Sequence, residues 1–142
     1  MRNPDLYISE QHASSRRYAI FEDDGRCGWL YLTAPNEPRP VADVWVYNRL
    51  TPSDRADGSG RSRPPPILSK FATHDAVVGD PARSAWRFRW SADGGAVALG
   101  RDGTIVALVV AEHRRGHSLA ISQACPWGSP LSAEQVAAAG VG

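Results

Sequence analysis

WRFRWSADGGAVALGRDGTIVALVVA, residues 86–111, decides the fold. It carries two Asp-Gly pairs, Asp93-Gly94 and Asp102-Gly103. Asp-Gly supplies the positive φ angles that a tight hairpin demands, and the flanking residues have strand chemistry, so the run predicts a three-stranded meander. Side chains alternate across a strand. Trp86, Phe88 and Trp90 therefore share one face, and Arg87 and Arg89 share the other. Each of these aromatics buries roughly 150–250 Å² when covered, which makes their face the expected centre of the core. Ile105, Val106, Leu108, Val109 and Val110 are apolar on both faces, as expected of a strand inside a sheet.

Outward from this run, strand chemistry recurs. Residues 5–9 alternate weakly and suit an edge strand. Residues 17–22 (RYAIFE) and 27–33 (CGWLYLT) flank the turn Asp23-Asp24-Gly25 and predict a second hairpin. Pro35, Pro38 and Pro40 interrupt, and residues 41–50 (VADVWVYNRL) resume as a strand apolar on both faces, which fits a curled or closed sheet. Residues 51–66 (TPSDRADGSGRSRPPP) have no apolar periodicity and read as a mobile loop. Gly79-Asp80-Pro81 reads as a turn, as does Arg114-Arg115-Gly116, with a last strand expected at 118–122. In the tail, Ser132 and Gln135 fit a capping box and Gly140 is placed to end a short helix over 131–140. The fold class is mainly β: one domain over 1–142, a single curled antiparallel sheet or open barrel built from hairpins, with a short C-terminal helix.

A net charge of +1 argues against a dedicated nucleic-acid binder, whose footprint would be strongly basic. The cations are Arg with a single exception, Lys70, and guanidinium forks suit carboxylate or phosphate; the plainer account is genomic codon bias. No apolar run approaches the ~18–20 residues of a membrane-spanning helix. The first residues lack the apolar stretch of an export signal, so a cytoplasmic location with Cys27 and Cys125 reduced is expected, although a long-range disulfide between them is conceivable.

The string WSADGGAVALGRDGTIVALVV resembles one blade of a β-propeller, but a propeller needs several copies and the chain holds one. A second resemblance spans more of the chain. Residues 18–25 (YAIFEDDG), the aromatic strand GWLYL and the later WSADGGAVAL are similar to an uncharacterised bacterial domain family. That family joins a Phe-Glu-Asp-Asp-Gly turn, an aromatic strand and a Trp-Ser-x-Asp-Gly hairpin, followed by an Arg-Arg-Gly-aromatic element. This chain has His117 in place of the last aromatic. The resemblance leaves out residues 51–66 and the helical tail. It implies a bacterial origin and supports the β reading; it transfers no activity and no catalytic residue.

Chemistry-bearing residues are sparse. Glu22, Asp23 and Asp24 form the densest acidic cluster, but they lack the alternate-position carboxylates of a calcium loop and read as turn makers. His113 and His117 have helical ligand spacing, with Arg114-Arg115-Gly116 between them to repel a cation and break a helix. Cys125 precedes Pro126, which removes a backbone N–H that commonly stabilises an oxyanion. No catalytic, cofactor or metal residue is assigned.

Two functional readings result. The first is a non-enzymatic bacterial protein-interaction domain that meets another protein, or a second copy in a homodimer, through Arg87, Arg89 and Arg101 beside aromatic strands. Immunity-type proteins are an analogy at this level only. The alternative is a small-molecule-binding protein, or a weak enzyme, with an aromatic-lined pocket between Trp29, Tyr31, Trp45 and Tyr47. The first predicts an exposed Arg/aromatic patch without a deep cavity. The second predicts an apolar pocket with a few convergent polar groups.

Overall fold

Hairpins account for nearly all of the architecture. The computed structural model describes residues 6–49, 71–73 and 76–141; the loop expected over 51–66 lies outside them. The strands are β1 (Leu6–Gln11), β2 (Tyr18–Asp23), β3 (Cys27–Thr33), β4 (Pro40–Asn48), β5 (Trp86–Trp90), β6 (Ala96–Arg101), β7 (Thr104–Val110), β8 (His113–Ser118) and β9 (Ser129–Pro130), followed by helix α1 (Ala133–Ala139). One turn of 3₁₀ helix, Pro81–Arg83, follows the expected Gly79-Asp80-Pro81 break.

The strands run in the order β1-β2-β3-β4-β8-β7-β6-β5, with β9 beside β8. Two antiparallel meanders, β1–β4 and β5–β8, are thus joined where β4 and β8 run parallel at Asp43 and Arg115. The sheet curls almost into a barrel. Its seam lies between β1 and β5, where no backbone ladder forms among the described residues. A barrel of about eight strands has an interior just wide enough to be filled by side chains or to hold one small ligand.

The two Asp-Gly pairs behave differently. Arg101 pairs with Thr104, so Asp102-Gly103 is a two-residue turn with φ 51 and 88, the left-handed pair of a type I′ hairpin. Asp93-Gly94 sits in a wider loop closed by Ser91 N donating to Ala96 O at 2.9 Å. There the Asp93 carboxylate accepts the Ser91 hydroxyl and Gly95 N–H, both at 2.8 Å. Those hydrogen bonds hold Asp93 below the ordinary carboxylate range.

Ala19, Phe21, Leu30, Leu32, Val44, Tyr47, Val97, Leu99 and Val109 are buried together in the main core. The centre of that core is therefore not the face of Trp86, Phe88 and Trp90, which are only partly buried against it. β5 ends the strand order, so its apolar face lies along the seam of the barrel rather than at its middle. β7 does lie inside the sheet, as its two apolar faces predict. A smaller cluster on the opposite face gathers Ala96, Ala98, Leu108 and Val141 with Val136 and Ala139 of α1. The helix begins with the expected capping box, Ser132 with Gln135, and ends at Gly140 in the left-handed region (φ 72).

One turn lies elsewhere than expected. Arg114-Arg115-Gly116 is strand, the turn falls at Ala111-Glu112, and residues 119–122 form a turn and an isolated bridge instead of the expected last strand. Gly116 serves close approach, because a Cβ there would collide with Leu108 O and Val44 Cβ.

Candidate functional site

The site grows from a bulge. β3 and β4 pair Gly28 with Tyr47 and then Trp29 with Trp45, so one residue of β4 is extra and Val46 bulges. This slip puts Tyr47 on the inner face, level with Val44, while Trp45 turns to the outer face. Tyr47 lies directly over Gly28: an added Cβ would sit 2.5 Å from the phenol ring. A glycine in this aromatic strand is what lets the ring lie flat against the sheet.

Tyr47 is then held from three sides. Its hydroxyl donates to Asp23 Oδ2 at 2.6 Å. Phe21 meets it edge-on at 6.1 Å between centroids, and Trp86 lies 5.8 Å away. Asp23 is fully buried and also accepts from Gly25 N at 2.6 Å and from Arg49 Nη1 at 3.3 Å. Burial, followed by the hydrogen bond to Asp23, pushes the Tyr47 phenol far above its ordinary value. Tyr47 is accordingly a neutral donor whose proton is already committed. Asp23 is thus more than a turn maker: it anchors β2, β4 and the turn between β2 and β3.

Above Tyr47 the barrel end opens into a cavity of about 330 Å³. Val46, Val78, Trp86, Val106 and Leu119 give it apolar walls, and Thr73 and Arg101 add polar groups. Trp86 is fixed by Phe21 at 4.6 Å and by its Nε1 donating to Pro81 O at 2.7 Å. The Arg101 guanidinium stands 5.6 Å over the Trp86 ring, and its Nε donates to Ser84 Oγ at 2.8 Å. Arg101 forms no ion pair with any described residue.

No family model, curated protein or solved structure matches the chain.

The predicted groups are divided. Arg87 and Arg89 are exposed on edge strand β5, as alternation implies. Arg101 does not join them: it pairs directly with Trp86 and shares that residue's face. Counting back from the Asp93-Gly94 turn gives this register, so the signal was present in the sequence.

The expected pocket of Trp29, Tyr31, Trp45 and Tyr47 is split by the sheet. Only Tyr47 reaches the barrel-end cavity. Trp29 and Tyr31 face outward into a separate cleft of about 390 Å³ with Asp24, Asp43, Arg115 and Trp127. Burial and the neighbouring Glu22 raise the Tyr31 phenol there. Trp45 fills the outer layer completely, its Nε1 donating to Asn48 Oδ1 at 3.0 Å.

Cys27 Sγ donates to the same Asn48 oxygen at 3.4 Å, and burial pushes its thiol up to about 12. Both cysteines are free. His113 and His117 lie four residues apart on a strand, roughly 13 Å at ~3.3 Å per residue, too far to share an ion. Among the described residues no three metal-ligating side chains gather, and no helix is long and apolar enough to cross a membrane.

Proposed function

We propose that this chain is a non-enzymatic binding protein that receives a small ligand at the open end of its barrel. The carrying observation is the cavity of about 330 Å³ walled by Tyr47, Trp86, Val46, Val78 and Val106. Its size falls in the range of ligand pockets, roughly 300–1,000 Å³, and apolar walls with a few polar groups are their usual composition. The polar groups favour binding over turnover: the Tyr47 proton is committed to Asp23, and a guanidinium stays charged across the working pH range. A bacterial origin and a cytoplasmic location belong to the same proposal. The first rests on the Phe-Glu-Asp-Asp-Gly and Trp-Ser-x-Asp-Gly resemblance, the second on two unpaired cysteines.

The test is a titration with a neutral probe, 1-octanol, read by tryptophan fluorescence because Trp86 lines the cavity. Saturable one-to-one binding that Val106→Trp abolishes is expected. Absence of saturable binding by 1-octanol and by its carboxylate and ammonium counterparts alike, or binding unaffected by Val106→Trp, overturns the reading.

Protein recognition remains a second reading on a separate observation. Arg87 and Arg89 are exposed on β5, an edge strand, and Arg is enriched at binding hot spots. The aromatic residues of β5 face the opposite way, so the patch lacks the Trp or Tyr anchors that such surfaces favour.

A further inference from the structure

Resting on the ligand-binding reading above, we infer that the barrel-end cavity is selective for organic carboxylates: an apolar body against Val46, Trp86 and Val106, and a carboxylate on Arg101. The chemistry begins with the placement of the cation. Arg101 ends β6 opposite Trp86, so the strand register delivers its side chain to the cavity rather than to the solvent face that carries Arg87 and Arg89.

Two contacts fix the guanidinium without neutralising it. Ser84 Oγ takes the Nε proton at 2.8 Å, and the Trp86 ring supports the cationic plane at 5.6 Å. Neither contact uses the terminal nitrogens. Among the described residues nothing takes those two nitrogens, which carry the parallel N–H pair that matches both oxygens of a carboxylate. Asp23, the carboxylate bonded to the Tyr47 hydroxyl beneath the cavity, is already shared among Tyr47, Arg49 and Gly25 N–H. Among the described residues that line the cavity, Arg101 alone is charged.

The cavity therefore combines apolar walls with a held cation that no described residue neutralises. A neutral amphiphile satisfies the walls and leaves the guanidinium unanswered. An amine adds like-charge repulsion. A carboxylate satisfies both, and its charge-assisted hydrogen bonds form beside low-dielectric walls, where they are stronger than in water.

Octanoate, 1-octanol and octylammonium share a chain and differ in the head group. Titrated into the wild-type protein at neutral pH, octanoate is expected to bind at least tenfold tighter than octanol, with octylammonium weakest. Arg101→Met keeps an apolar stem, and there octanoate affinity is expected to fall to that of octanol while octanol binding persists. Equal binding of octanoate and octanol to the wild type overturns the carboxylate inference and leaves the cavity reading standing. So does tighter octylammonium binding, or octanoate affinity unchanged in Arg101→Met. Failure of all three probes overturns both readings. Should Arg101→Met not fold, the wild-type ranking of the three head groups decides alone.

Discussion

Trp90 closes the barrel onto Glu10: its indole Nε1 donates to Glu10 Oε1 at 2.7 Å across the seam between β5 and β1. His12 packs on the same indole at 5.0 Å between ring centroids. Side chains thus do at this seam what a backbone ladder does elsewhere. Trp90→Phe keeps an aromatic ring and removes the donor. It is expected to cost about 0.5–1.5 kcal/mol in urea unfolding, the net value of one such hydrogen bond. Amide exchange is expected to quicken selectively in β1, the strand the seam retains. Uniform exchange with unchanged β1 protection would show that the seam contact is incidental.

The hairpins were legible in the sequence because their signals are local. Asp102-Gly103 fixes a turn by backbone conformation, and Ser132 with Gln135 fixes a helix start within four residues. The closure was not legible. β4 meets β8 in parallel at Asp43 and Arg115, a contact between distant segments with no local signature. Gly116 misled for a related reason: beside two arginines it resembles a turn, whereas it is glycine because Val44 and Leu108 crowd it. Half of the site was readable. Register from the Asp93-Gly94 turn places Arg101 with Trp86, while the bulge that turns Tyr47 inward and Trp45 outward depends on how β3 and β4 meet.

Tyr47→Phe tests the buried Asp23 pair. The substitution keeps the ring over Gly28 and deletes the donor to a fully buried carboxylate. Leaving a buried acceptor short of a partner costs about 1–3 kcal/mol, more for a charged one. A loss in that range or above is expected, with the tryptophan bands of the near-ultraviolet circular dichroism spectrum retained. Gly28→Ala should also destabilise, and should alter that spectrum as well, because the added methyl must displace the phenol. A Gly28→Ala variant with wild-type spectrum and stability would show that the ring relocates freely.

The thiols should differ sharply. Cys27 is buried, donates to Asn48 and titrates at about 12, whereas Cys125 is partly exposed. The thiolate is the reactive form. At pH 8 a disulfide-exchange reagent is expected to modify Cys125 in the folded protein and to reach Cys27 only after denaturant is added. Fast reaction of both thiols in the native state would contradict the burial of Cys27.

Alkaline stability supplies the last test, and its direction follows from linkage. Cys27 rises from its ordinary 9.0 to about 12 in the folded chain. Between those values the folded state keeps a proton that the unfolded state has released, so stability falls as pH rises. The contribution is fully present below pH 9 and lost on passing about 12. The Tyr47 and Tyr31 phenols, both raised, add losses of the same sign that begin near their ordinary value of 10.0. Cys27→Ala should therefore lower stability at neutral pH, where a small packing loss remains, yet flatten its decline between pH 9 and 10, before Tyr47 contributes. Tyr47→Phe should flatten the decline above pH 10 and leave the slope below it unchanged. Chemical denaturation at half-unit steps across this range separates the two, and parallel pH curves for all three proteins would contradict both assignments.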